Sequence, residues 1–329
     1  MLFHFFLFVF SAFLLLWSSN WLVSSVSQIA RYLKWREFVI AFFVMAVVAS
    51  FPNLFVGVIA AFNDAPELSF GDVMGNSVVD LTLVAALAVF FGQGSLRGEG
   101  PLVQRSSLIT AAVAVLPLLL ILDHELGRGD AVVLLLAFLF YSLWLFSKRE
   151  EYTHIFNHAN EPVRPKNPPI ARFRTFFVNV LKTVAGILIL LASAYGAVEA
   201  VLFFADQFQI PVALIGIFVL GFGSALPEVY FTIAAARQGN SRVILGDLMG
   251  AVIVMSTLVL GIVALIQPIR IDDFSPFALA RFFLIVSALF FLLFLRTGRK
   301  INRKEGVFLL FLYMAFIAGE ILIRVFDLP

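Results

Sequence analysis

Two carboxylates in oily surroundings, Asp80 and Glu228, are the residues of this 329-residue chain whose chemistry most needs a reason. Glu228 lies in GFGSALPEVYF (221 to 231), where two glycines and a proline weaken a helix and the acid charges its middle. Asp80 lies in GDVMGNSVVDLTLV (71 to 84). A carboxylate at the centre of a bilayer costs roughly 2.5 to 3.5 kcal/mol on insertion scales, so two are kept there only with a cation, a proton or a partner. One calcium ion would neutralise such a pair, and so would two sodium ions or two protons. Oxygen ligands from Ser50, Asn53, Ser224 and loosened backbone carbonyls suit a hard cation. The chain has no cysteine and its four histidines lie outside this centre, which argues against zinc or copper. The expected cation ligands are therefore Ser50, Asn53, Asp80, Ser224 and Glu228.

Such residues need a membrane around them, and the composition supplies one. The chain is 61% hydrophobic and 13% charged, with a mean hydropathy of +1.00, whereas soluble domains carry roughly 25% charged residues. Apolar runs of about 20 residues, the length that crosses the hydrocarbon layer, occur near 2 to 29, 37 to 62, 67 to 91, 106 to 122, 131 to 147, 175 to 204, 211 to 236, 243 to 267, 276 to 296 and 305 to 325. The expectation is an all-α polytopic membrane protein of ten helices. The first run lacks the basic start and cleavage site of a signal peptide. If both termini lie outside, 18 of the 23 Lys and Arg fall in inner loops, as the positive-inside rule requires. Which membrane holds the chain stays open. The net charge of +2 is too small to suggest nucleic acid.

The chain repeats itself. SFPNLFVGVIAAFNDAPELSFGDVMGNSVVDLTLV (50 to 84) aligns without a gap on ALPEVYFTIAAARQGNSRVILGDLMGAVIVMSTLV (225 to 259). Pro52 meets Pro227, GDVMG meets GDLMG, and Thr82-Leu-Val meets Thr257-Leu-Val. Five spans separate the copies, so one half is inverted relative to the other, about an axis in the membrane plane. This gives a first half over 1–148, a short basic linker over 149–174, and a second half over 175–329. Proline beside glycine implies broken helices at the centre, with freed carbonyls facing an ion. Irregular backbone at that depth survives only when it is buried in protein or lines a cavity.

The pairing of SFPN with GFGSALPE, each followed in the next span by GDxMG, resembles the two alpha repeats of the calcium/cation antiporter superfamily, which includes the sodium/calcium exchanger membrane region. This chain is similar to a divergent member. The resemblance implies that Glu228 is the second repeat's ion-binding glutamate and that Asn53 stands at its first-repeat equivalent. It places Asp80 at the family's acidic or amide position in the following span, where the second repeat has Met255. Ser50 and Ser224 remain from the family's hydroxyl positions. Asp72 and Asp247 replace its usual asparagine, and Asn76 keeps the following one. The implied function is alternating-access antiport of calcium, or another hard cation, for sodium or protons, with the first and sixth spans sliding as a pair across a rigid core of spans two, three, seven and eight. No cofactor beyond the transported ion is expected, and the short linker predicts no large regulatory domain.

Asn53 and Met255 leave fewer charges than the family pattern, so monovalent cation/proton antiport, or an ion-binding paralogue or uniporter without coupled exchange, are the alternative functions. Met255 could face lipid or a neighbouring helix. Asp72 precedes Asp80 by eight residues, about 12 Å of helix. Asp72, Asn76 and Asp247 are read as access or proton-relay residues, with helix capping or packing as the equal alternative for the two acids. Glu199 is expected to make a polar interface contact, Glu320 an exposed helical pair with Arg324, and His154 and His158 a solvated pair. An enzyme is disfavoured because HExxH and GxSxG patterns are absent and no pair of aspartates of the GxGD kind appears.

Overall fold

The computed structural model describes residues 1–33, 47–148 and 169–325. Helix α1 spans Leu2–Tyr32 and α2 spans Phe51–Phe62. The third span runs as α3 (Glu67–Val79), a π turn at Asp80–Val84 and α4 (Ala85–Phe91). Helices α5 (Pro101–Leu120) and α6 (Arg128–Ser147) complete the first half. The second half opens with α7 (Pro169–Phe208). Its next span is assembled from α8 (Val212–Ile215), a π turn at Gly216–Leu220, α9 (Gly221–Ser224) and α10 (Leu226–Arg237). Then come α11 (Ser241–Ile253), a π turn at Val254–Val259, α12 (Leu260–Ile266), α13 (Ala278–Thr297) and α14 (Arg303–Val325).

Among the described residues nine helical stretches are long and apolar enough to cross a membrane, and α2 is a shorter apolar helix. The expected span at 37 to 62 is thus represented by its second part, since residues 34–46 lie outside the described residues. The other nine meet the expected runs with ends moved by a few residues. The third span coincides with 67 to 91 at both ends.

Repeat-related residues adopt matching backbone. Ser50 precedes α2 at φ −82°, ψ 0°, and its repeat equivalent Ala225 precedes α10 at φ −79°, ψ −8°. Each is followed by a proline in the first turn of the next helix, where the missing N–H costs nothing. The predicted breaks therefore sit at equivalent places, in the sparsely populated bridge region between helix and strand. The π turns at Asp80–Val84 and Val254–Val259 are likewise equivalent. Within them Thr82 donates to the Val78 carbonyl and Thr257 to that of Ile253. Such π turns are frequent at functional sites.

Four short strands tie the halves together. β1 (Ser95–Arg97) pairs antiparallel with β4 (Lys300–Asn302), and β2 (Glu125–Leu126) with β3 (Ile269–Arg270). The repeat shift carries β2 onto β4 and brings β1 alongside β3, so each ribbon takes one strand from each half. The apolar core is also divided. The larger cluster joins α3, α4, α10 to α14 and the inner faces of α5 and α6. A second joins α1 and α7 to α2 and the ends of α3 and α8, through Leu22, Val56, Ala60, Leu68, Ala194, Ala197 and Ile215.

Candidate functional site

Asp80 opens the π turn of the third span, surrounded by the larger apolar cluster. It is 0% exposed, and neither carboxyl oxygen has a hydrogen-bond partner. Glu228 stands in the first turn of α10, just after the break at Ala225. Its side chain is partly exposed, yet its Oε2 is sealed from the surface and unpartnered. The break makes this possible, because it lets the chain turn at mid-span and presents the acid beside a helix N-terminus, which favours negative charge. Asp80 lies within electrostatic range of Glu228 and Asp247, and Glu228 within range of Asp247 and Asp72. The carboxyls of the two halves therefore gather in one region. Unpartnered buried carboxyl oxygens are costly, and a cation is the partner that would satisfy them.

The repeat equivalents of this pair also meet. Asn53 Nδ2 donates to Met255 Sδ at 3.1 Å, and Met255 is 1% exposed. Met255 thus faces the interior and not lipid, because the π turn that carries it is buried on nearly every side. Ser50 is buried at the first-half break, beside Asn53.

Ser224 is held by the third span. Asn76 Nδ2 donates to Ser224 Oγ at 2.9 Å, and Ser224 Oγ donates to Asp72 Oδ1 at 3.1 Å. Asp72 and Asn76 are four residues apart and share one face of α3. Glycine permits the close crossing that sets this up. A Cβ on Gly71 would stand 2.3 Å from the Ala213 carbonyl oxygen, and one on Gly75 would stand 2.0 Å from that of Ile217. Asp72 and Asp247 lie inside α3 and α11, beyond their first turns, so the capping alternative is excluded. Asp72 is buried and Asp247 partly exposed.

Three hydroxyls near the site escaped the sequence reading. Ser77 lies one turn before Asp80, Thr232 one turn after Glu228, and Ser256 beside Met255. All are buried with unpartnered oxygens. Helical spacing of three or four from each acid was the signal that could have found Ser77 and Thr232. Among the described residues no group of three His, Cys, Asp or Glu side chains is placed to hold a metal, so any cation here would rely on hydroxyl, amide and carbonyl oxygens as well.

The other candidates stand apart. Glu199 is exposed on α7. Glu320 is 5% exposed, which corrects the exposure expected for it and leaves the pairing with Arg324 untested: four residues after buried Phe316, it shares that residue's inner face of α14. The Arg324 side chain, His154 and His158 lie outside the described residues.

The model of the sodium/calcium exchanger protein family matches residues 3–147 and again 178–322, one copy in each half. Among curated relatives, "Sodium/calcium exchanger MaX1" of Methanosarcina acetivorans is 27% identical over 91% of this chain and 93% of its own. "Inner membrane protein YrbG" of Escherichia coli is 25% identical over 94% and 96%. Among solved structures, the sodium-calcium exchanger NCX_Mj soaked with 2.5 mM Na+ and 10 mM Sr2+ aligns with a TM-score of 0.63 at 24% identity, over 96% of this chain and 98% of that one. That likeness carries the fold. Both halves of this chain, with their broken central helices and inward acids, belong to the sodium/calcium exchanger family, which makes it an integral membrane cation antiporter and not an enzyme.

Proposed function

We propose that the protein carries calcium, or a closely similar hard divalent cation, in exchange for sodium, at a site formed by Asp80, Glu228, Ser50, Asn53 and Ser224. The observation that carries this reading is the set of unpartnered buried carboxyl oxygens on Asp80 and Glu228, one acid from each inverted half. Hard oxygen donors of this kind select calcium or sodium over soft metals. The similarity to MaX1, whose name is that of a sodium/calcium exchanger, supports sodium as the counter-ion. Residues 1–148 and 175–329 act as the two halves, joined by the linker 149–174. Both termini lie on the outer face, as the distribution of Lys and Arg supports. Asp72, Asn76 and Asp247 line the approaches on either side.

The deciding experiment is calcium uptake by the full chain in proteoliposomes, under sodium and pH gradients applied in turn. Uptake driven by sodium and lost without it is the expected result. A second reading, monovalent cation/proton antiport, is favoured by the absence among the described residues of a three-acid cluster. It predicts sodium flux under a pH gradient and no calcium flux under either.

A further inference from the structure

We infer that Thr232 is a further cation ligand, set one helical turn from Glu228 on a seam that leads from the buried acids to the membrane face carrying β1 and β4. The inference rests on the reading of Asp80 and Glu228 as the cation site and adds a residue to it.

Thr232 is 0% exposed, and its hydroxyl has no hydrogen-bond partner. A threonine within a helix can satisfy its hydroxyl by donating to the carbonyl four residues back, as Thr82, Thr110, Thr183, Thr257 and Thr297 all do here. The corresponding carbonyl for Thr232 is that of Glu228, and this bond is not made. Residues four apart are neighbours on one helix face, so the free hydroxyl lies beside Glu228, whose Oε2 is also buried and unpartnered. Burying a hydroxyl without a partner is costly. A hard cation held jointly with the glutamate would satisfy both oxygens.

The repeat makes this hydroxyl one-sided. Its equivalent in the first half is Gly57, where a Cβ would stand 2.6 Å from Ser69 Oγ and 2.8 Å from a Val263 methyl. The same shift carries Ser69 onto Ile244 and Val263 onto Ala88. Alanine in place of valine leaves the room that the Thr232 side chain takes up. Ala88 and Ile244 also line a cavity, together with Gly92, Gln93, Ala236 and Gly239, where α4 and α10 end. Ala236 extends the stripe of Glu228 and Thr232 by one more turn, and a Cβ on Gly92 would lie 3.7 Å from that of Ala236. Small side chains therefore separate Thr232 from the cavity, whereas Val263 closes the matching place in the other half. Arg97 at the rim of the cavity is exposed, so solvent screens its charge from a cation passing there.

The test titrates calcium, and sodium in parallel, against the purified full chain in detergent, and follows the thermal midpoint with and without ion. Thr232→Val keeps the shape and removes the oxygen. It is expected to lower cation affinity about tenfold and to shrink the rise in midpoint that the ion produces, while the ion-free midpoint stays level or rises. Thr232→Ser restores the oxygen and should restore the affinity. Ser142→Ala removes another buried, unpartnered hydroxyl, on α6, and should leave affinity unchanged. If Thr232→Val binds as the unaltered chain does while Glu228→Gln has lost binding, or if its ion-free midpoint falls and Thr232→Ser does not recover affinity, Thr232 is a packing residue and the inference fails alone. An unaltered chain that bound neither ion would sink the cation-site reading as well. The seam is tested by Ala236→Cys in a chain otherwise free of cysteine: a membrane-impermeant thiol reagent should block exchange from the face carrying β1 and β4, and block from the opposite face alone, or none from either, overturns the route.

Discussion

At the scale of single residues, the proposed reading makes Asp80 and Glu228 a charge pair in want of a counter-charge, their unpartnered carboxyl oxygens sealed from the surface. Glu228→Gln and Asp80→Asn should each reduce calcium uptake in proteoliposomes to background while the protein still inserts. Each substitution removes the roughly 2.5 to 3.5 kcal/mol insertion cost of a carboxylate, so the thermal midpoint of the ion-free protein in detergent should stay level or rise. A fall in midpoint alongside lost uptake would mean that the acids hold the fold together and are not ion ligands. Ser224 is different, since its hydroxyl is engaged by Asp72 and Asn76. Ser224→Ala leaves both partners unsatisfied, at a cost of about 1–3 kcal/mol. It is expected to lower the midpoint and weaken uptake without abolishing it, and an unchanged midpoint would refute the hydrogen-bond role. Much of this was legible in the sequence: an acid in an oily run beside proline and glycine has few uses in a membrane. The neighbours of each acid were not. Nothing in the order of residues says that Met255 meets Asn53, because that contact depends on how two broken helices fold back on one another, across 202 residues of sequence.

At the scale of elements, the site depends on how closely the third span crosses α8 and α9. Gly75 is the tightest point, since a Cβ there would stand 2.0 Å from the Ile217 carbonyl oxygen, and backbone cannot swing aside as a side chain can. Gly75→Ala is therefore expected to push the crossing apart, break the Asn76–Ser224 bond and cost at least ~1–3 kcal/mol, read as a lower thermal midpoint and loss of exchange. Gly129→Ala is the matched control: nothing lies within 4 Å of its Cβ position, and alanine is the better helix former. Equal midpoints for the two variants would show that the crossing is slack. The spans and their breaks could be read beforehand, because apolar length and proline position act locally. The crossing could not, because GDVMG records that small residues are present and not what approaches them. The ribbons were hidden for another reason: strands of two or three residues are too short to carry an alternating pattern.

At the scale of the whole molecule, the inverted repeat accounts for the matched breaks, the paired π turns and the two ribbons that each draw a strand from both halves. The shift that aligned GDVMG with GDLMG was enough to foresee this symmetry, because an odd number of spans between copies forces inversion. What sequence could not foresee is the division of the core. Helices α1 and α7 pack along each other and share a cluster that meets the bundle through apolar side chains of α2, α3 and α8. Within the pair the contacts are close and partly polar: Asn179 Nδ2 donates to Gln28 Oε1 at 3.1 Å, and a Cβ on Gly196 would lie 2.5 Å from Ser11 Oγ. An apolar seam can shift register without breaking directional bonds, whereas the interior of the pair cannot, so the two helices should move as one body over the bundle. The chain has no cysteine, which makes a disulfide test unambiguous. Ser11→Cys combined with Gly196→Cys brings two Cβ atoms within the ~3.5–4.5 Å that a disulfide spans. If α1 and α7 travel together, the oxidised double variant should exchange calcium as fast as the reduced one. Oxidation that halts exchange, with recovery on reduction, would mean that the helices slide against each other and that the moving body has been drawn in the wrong place.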